Sequence, residues 1–201
     1  MARKVFLETP VSEQEIRDLH LDDMVFLTGR IFVFQYPWHF TRTIEMLGRN
    51  EKLPMDLNGS MIYHCPAGYR KVGNDFELKF VGSTTSSKLN AYTPDFMKLT
   101  GIRGVIGKGG MDTETLKAMK ELGACYFAVV GGCSAIYTEG VVNIVQEYWN
   151  QPSWADNVLE LDIKNFGPLL VAMDAKGNSI YEKAKQDAQK ALPLIYKTLG
   201  V

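Results

Sequence analysis

The chain is poor in cysteine, holds no long apolar run and has no excess of either charge. Its three cysteines, Cys65, Cys125 and Cys133, form no C-x-x-C pair and sit at no zinc-finger spacing from His20, His39 or His64. That pattern argues against a zinc knuckle or a disulfide scaffold. It fits buried structural thiols in a reducing, cytoplasmic setting. Lys and Arg total 22 against 23 Asp and Glu, a formal net charge of −1. Such balance leaves no electrostatic footprint for nucleic acid or an anionic membrane. The longest mostly apolar stretch, Ala124 to Tyr137, is broken by Gly131 and Gly132 and falls short of the roughly 18 apolar residues that a membrane span needs. The N-terminal Met-Ala-Arg-Lys-Val-Phe-Leu-Glu has no apolar signal core. H-E-x-x-H and G-x-S-x-G are both missing. The run Gly104 to Gly109 departs from a phosphate loop because Lys108 is followed by Gly109 rather than Ser or Thr. No repeat or low-complexity tract is visible.

What is present is a folded chain with 46% hydrophobic and 22% charged residues over 201 positions. At roughly 100–200 residues per domain, and with no internal shift in composition, residues 1–201 read as one domain. Ser12-x-x-Glu15 is a capping box and predicts a short helix to Leu19. Val25 to Phe34 reads as a strand interrupted at Gly29, and Pro37 to about Arg49 as a helix. Ser60 to Cys65 and Phe76 to Val81 read as strands joined by a turn-rich segment from Pro66 to Asn74. A polar loop, Gly82 to Lys88, leads into a helix that runs to Leu99 and stops at Gly101. Gly104 to Gly107 and Cys125 to Val130 are buried strands around a helix from Thr113 to Leu122. Ser134 to Tyr148 reads as partly helical, and Val158 to Ile163 as a half-exposed strand. Leu169 to Met173 and Ser179 to Tyr181 bracket a hairpin turn, Asp174 to Asn178, before a last helix, Glu182 to Leu199. This order predicts an α/β fold, a mixed sheet with packed helices.

Two segments stand apart from the core pattern. Gly82-Ser83-Thr84-Thr85-Ser86-Ser87-Lys88 puts consecutive hydroxyls, Ser83 to Ser87, just before the predicted helix. Helix N-termini favour anions, and the spacing of Thr84 and Lys88 places both on one helical face. The plainer alternative is a capped helix with a solvated lysine. The second segment sets Lys108 between Gly107 and Gly109 at the end of a buried strand. Glycine there gives up packing but lets backbone and ammonium approach a ligand, and α/β sites lie off the carboxyl ends of strands. The alternative is a tight turn with an exposed lysine.

Thr84-Thr85-x-x-Lys88, then Ala91-Tyr92-Thr93-Pro94, then Gly101 to Met111 with its Gly107-Lys108-Gly109-Gly110 core, resembles the β-type domain of iron–sulfur hydro-lyases. This is the family of class I fumarase and the L(+)-tartrate dehydratase β subunit. Thr9 to Leu19, Leu27 to Phe32, Val129 to Ile136 and Ala172 to Asn178 extend the resemblance over nearly the whole chain. The resemblance implies a swivelling β/β/α domain. It also implies a hetero-oligomer with a cluster-bearing α subunit, two α and two β subunits being one such arrangement. The 4Fe–4S cluster would be held by cysteines of that α subunit, so no metal is expected on this chain. The implied chemistry is reversible addition of water across the carbon–carbon double bond of a small dicarboxylic acid, active only with the α subunit. In that scheme the cluster is a Lewis acid and a base removes a proton from the neighbouring carbon. Carried over by motif, Thr84 matches the proposed base and Lys108 a substrate-contacting lysine. Gln35, His39, Thr85, Lys88 and Gly109 fall at substrate-binding positions.

The sequence departs from the family pattern at both carboxylate clamps. Ser83, Lys88 and Leu89 stand where the family motif has Pro, Arg and Met. In Phe34-Gln35-Tyr36-Pro37-Trp38-His39 only His39 is kept from a segment in which Gln35 replaces an arginine. Lysine cannot form the planar fork of arginine, and glutamine carries no charge. The substitutions point to a hydro-lyase substrate other than simple fumarate or L-tartrate. Two other classes stay open at this point: a non-catalytic structural or regulatory subunit, and a free-standing module that binds small anions.

Overall fold

In a computed structural model, residues 2–73, 75–149 and 157–200 are described. Nine strands and six α-helices alternate along these residues in a mixed α/β arrangement. Seven strands form one sheet in the order β1-β2-β3-β6-β7-β9-β8. The strands are β1 (Lys4–Glu8), β2 (Met24–Val33), β3 (Met61–Tyr63), β6 (Gly104–Gly107), β7 (Cys125–Ala128), β8 (Val141–Tyr148) and β9 (Val158–Met173). β1, β2, β3, β6 and β7 run parallel. β9 is antiparallel to β7, β8 and also β2. Because β9 pairs with both β7 and β2, the strands β2, β3, β6, β7 and β9 form a closed ring.

Alternation along these strands sorts the core into two sets. Leu27, Ile31, Tyr63, Ile106, Phe127, Leu161, Phe166 and Val171 pack together inside the ring. Phe34, Ile62, Val105 and Tyr126 point outward, where Phe40 of α2 (Pro37–Gly48), Phe96 of α3 (Thr93–Thr100) and Met119 of α4 (Thr113–Leu122) cover them. The predicted capping box is present on α1 (Glu13–Arg17): Ser12 accepts from the Glu15 N–H, and Glu15 accepts from the Ser12 N–H. Gly29 interrupts β2 as expected, with φ +111° at a register shift against β9. Gly101 and Gly123 end α3 and α4 in the left-handed conformation.

Several elements differ from the sequence reading. The turn-rich segment contains a strand, β4 (Ala67–Val72), which pairs with β5 (Asp75–Val81) as a separate hairpin. Asn74, within that segment, lies outside the described residues. The stretch Ser134 to Tyr148 divides into α5 (Ser134–Glu139) and β8. Val158 to Ile163 and Leu169 to Met173 are two halves of one strand, β9, bent where Asn165 takes a positive φ. The Asp174–Asn178 turn exists, closed by the Asp174 N–H to the Asn178 carbonyl. It leads through a single bridge at Ser179 into α6 (Ile180–Leu199) rather than into a strand.

At the rim where β6 and β7 begin, α1 is tied to the end of α4. Arg103 donates to the Leu122 and Gly123 carbonyls, and Arg17 donates to those of Lys120, Glu121 and Ala175. Glu13 lies between the two guanidiniums, 2.8 Å from Arg17 and 3.2 Å from Arg103. The hydrogen bond from Arg17, helped by the charges of both guanidiniums, holds its carboxyl below the usual carboxylate range. The helix carbonyls left without intrahelical partners are thereby satisfied.

Candidate active site

At the opposite rim, β2, β3, β6 and β7 all end, because they are parallel. Their carboxyl ends deliver Gln35, His64, Lys108 and the Val129–Cys133 loop to one face. Thr84 and Thr85 enter from the end of β5 and are stitched to β6 by backbone. The Lys108 N–H donates to the Thr84 carbonyl at 3.3 Å, and the Ser86 N–H donates to the Lys108 carbonyl at 3.1 Å. Thr85 and Lys108 thus form a parallel bridge.

This capture changes the local structure expected at residue 84. No α-helix begins there. The chain stays extended to Thr85, forms a short 3-10 turn at Ser86–Leu89, and becomes α-helical at Thr93 with Pro94 in the first turn. Thr84 and Lys88 therefore do not share a helical face. They still converge, because both line a cavity of about 340 Å³ together with Gln35, Tyr36, Pro37 and Pro66. A larger cavity of about 580 Å³ lies at Leu47, the Lys52–Asn58 loop and Leu99. None of the residues singled out from the sequence lines it, so the smaller cavity is the candidate site.

Thr84 is doubly anchored to β3's end: its N–H donates to the His64 carbonyl at 2.8 Å and its Oγ1 donates to the same oxygen at 3.2 Å. A hydroxyl that donates inward can present its lone pairs outward. Lys108 is half-buried, and its side chain runs beside Gly131, where an added Cβ would meet the lysine Cδ at 3.3 Å and Nζ at 3.7 Å. Gly109 follows with φ +75°, a turn that glycine adopts without strain. Lys88 and Thr85 are exposed. Gln35 is half-buried on the cavity wall, and its N–H donates to His39 Nδ1 at 3.2 Å. His39 itself is fully buried among Phe34, Tyr36 and Trp38. It stands behind the wall and supports Gln35, rather than reaching the cavity.

Two residues that no sequence motif marked, His64 and Tyr126, lie directly beneath, together with Ser86 of the hydroxyl-rich segment. His64 Nδ1 is 3.0 Å from Ser86 Oγ, and the Tyr126 hydroxyl donates to the same Oγ at 3.0 Å. All three side chains are fully buried. Burial lowers the His64 pKa to about 3, so the imidazole is neutral, and it pushes the Tyr126 hydroxyl up.

Cys65 and Cys125 do not suit an iron–sulfur cluster. Cys65 and Cys125 are buried separately, and burial raises the first well above the usual thiol range and the second to about 12. Cluster ligation requires thiolates. Among the described residues no three His, Cys, Asp or Glu side chains converge as a metal site. Among them, too, no helix is long and apolar enough to cross a membrane.

Residues 1–184 match the family described as "Fumarase C-terminus". A "Putative L(+)-tartrate dehydratase subunit beta" of Methanocaldococcus jannaschii is 39% identical over 183 residues, 90% of this chain and 93% of that protein. An L(+)-tartrate dehydratase subunit beta of Shigella sonnei is 31% identical over 96% of this chain and 94% of its own length. A "Putative fumarate hydratase class I" of Geobacillus stearothermophilus is 33% identical over 94% of this chain, which matches 36% of that longer protein. The match over residues 1–184 makes the chain a member of the fumarase C-terminal family, and it is also similar to L(+)-tartrate dehydratase β subunits.

Proposed function

We propose that this chain is the β subunit of a hydro-lyase that reversibly adds water across the carbon–carbon double bond of a small carboxylic acid. The observation that carries the reading is the junction of Thr84 and Lys108 beside a cavity lined by Gln35, Thr84 and Lys88. In this reading the lysine ammoniums of Lys88 and Lys108 bind substrate carboxylate, with Thr85 and the Gly109 backbone completing the wall. Thr84 Oγ1 faces the carbon that loses its proton. Its inward hydrogen bond goes to a main-chain carbonyl, which orients the hydroxyl but cannot take a proton. The final proton acceptor is therefore water or a group on the partner. The 4Fe–4S cluster belongs to that partner, an α subunit, because with Cys65 and Cys125 buried this chain offers too few thiols to hold it. A swivelling β/β/α domain spanning 1–201, a hetero-oligomeric assembly and a cytoplasmic location belong to the same reading.

Gln35 and Lys88 bear on the substrate. A carboxylate prefers a planar, charged fork, and neither residue supplies one. Gln35 suits a hydroxyl, amide or carbonyl, so the substrate presents such a group at that end. The test is anaerobic reconstitution with the α subunit, followed by assay with fumarate, mesaconate and tartrate. Slow turnover of all three, with faster turnover of a less charged analogue, is expected. Fumarase turnover at ordinary family efficiency would defeat the specificity claim, and no turnover of any enoate or hydroxy acid would defeat the hydro-lyase reading.

A further inference from the structure

We propose that His64, Ser86 and Tyr126 form a buried positioning unit whose linked side chains set the separation of the Thr84 and Lys108 loops. This rests on the hydro-lyase reading for its catalytic consequence, and on geometry alone for its structural part.

Gly107 is the last residue of β6. Its φ is not among the positive ones, so the residue is not glycine for backbone freedom. It is glycine for space. An added Cβ would lie 2.0 Å from Ser86 Oγ, 3.2 Å from the Tyr126 hydroxyl and 3.4 Å from His64 Cβ. The end of β6 is cut away so that the Ser86 hydroxyl can sit against it.

Each member of the unit is also one step from a site loop. The His64 carbonyl receives both the N–H and the hydroxyl of Thr84. The Ser86 N–H reaches the Lys108 carbonyl, and Lys108 returns its N–H to Thr84. Tyr126 lies on β7, next to β6, and anchors the pair to the ring. Hydrogen bonds operate over a narrow range of distance, so they fix a spacing more closely than apolar contact does.

Tyr126 donates to Ser86 Oγ, and His64 Nδ1 pairs with the same oxygen. His64 Nε2 is buried and has no partner among the described residues. A histidine held neutral in this way does not change charge near neutral pH, and the spacing it sets is constant there. Three buried polar side chains, one left unsatisfied, cost stability that apolar residues of the same size would not. Their placement under Thr84 and Lys108 gives that cost a purpose.

The test pairs hydrogen exchange on the full chain with kinetics of the αβ complex. Tyr126→Phe removes one hydroxyl without changing the ring's volume, and Ser86→Ala removes the central link. Ile16→Val, a buried truncation in α1, controls for lost stability. The proposal expects exchange in peptides covering 83–90 and 104–110 to rise about tenfold in the first two variants, with β1 and β8 unchanged. It expects kcat to fall about ten- to a hundredfold while KM moves less, since misplacing reacting groups by about 1 Å can cost that much. Exchange that rises evenly through the sheet, as for Ile16→Val, or that stays unchanged in both peptides, overturns the proposal. A wild-type complex without hydro-lyase turnover overturns the functional reading instead, and the exchange comparison still decides the positioning.

Discussion

The two rims of the strand ring use polar groups in opposite ways. Where β6 and β7 begin, Arg17 and Arg103 saturate the last carbonyls of α4 and share Glu13. Every one of those contacts closes on the protein itself. Where the same strands end, the backbone of Thr84 and Lys108 is satisfied, but Lys88, Lys108 and Gln35 turn to a cavity and its surroundings. One rim spends its charge on structure and the other presents it. The difference also shows in the glycines. Gly123 is a left-handed cap pressed against Glu13, whereas Gly107 is an opening for Ser86.

Substitutions at the two rims should therefore separate activity from stability. The largest effect is expected from Lys108→Ala, which should lower turnover of the αβ complex by about 10²–10³-fold, as losing one preorganised charge contact does. Assembly and thermal stability should be unchanged, and equal losses of activity and assembly would erase the contrast. Next comes the pH dependence of the presenting rim. Unfolded His64 accepts a proton near pH 6.5, while the buried imidazole does not until about pH 3. Below pH 6.5 the unfolded state therefore binds more protons, and stability falls by about 1.4 kcal/mol per pH unit from this group. Urea unfolding at several pH values should show this slope in wild type and lose it in His64→Gln.

Arg103→Ala should cost about 1–3 kcal/mol, since helix carbonyls lose a charged donor. Its kcat should match wild type, measured on protein that remains folded. The smallest effect is expected from Lys88→Arg. Restoring a planar fork should tighten dicarboxylate binding about three- to tenfold without changing Tm, read as a fall in KM. A weaker dicarboxylate KM would show that Lys88 does not face that group.

Local signals were the readable part of this sequence. The Ser12–Glu15 box, the Gly101 cap and the helical spacing of Thr113 to Leu122 depend on neighbours within a turn, and all three elements are present. β4 is hidden because Arg70, Lys71 and Val72, in its second half, are exposed, so the strand carries no continuous apolar pattern. β9 looked like two strands because Lys164 and Asn165 are exposed at its bend. Thr84, Lys88, Gln35 and Lys108 could be named from motif order. Their grouping could not, since it depends on a β-bridge rather than a helix face. His64 gave no signal, as its partner Ser86 lies 22 residues on and Tyr126 a further 40. The glycine before Lys108 was the one available hint, and it was legible only as space.

The double pairing of β9 has a consequence for how the molecule is made. β2 is complete by residue 33, yet β9, the strand that pairs with it antiparallel, ends at residue 173. Contacts so far apart in sequence slow folding, because a long loop must close before they form. During synthesis β2 and β7 therefore carry open edges until the last strand emerges. The parallel strands β3 and β6, to which the Thr84 and Lys108 loops are tied, can pair early, but the ring under them locks only once β9 has been made. Acquisition of a competent rim is thus timed by a strand that contributes none of its residues.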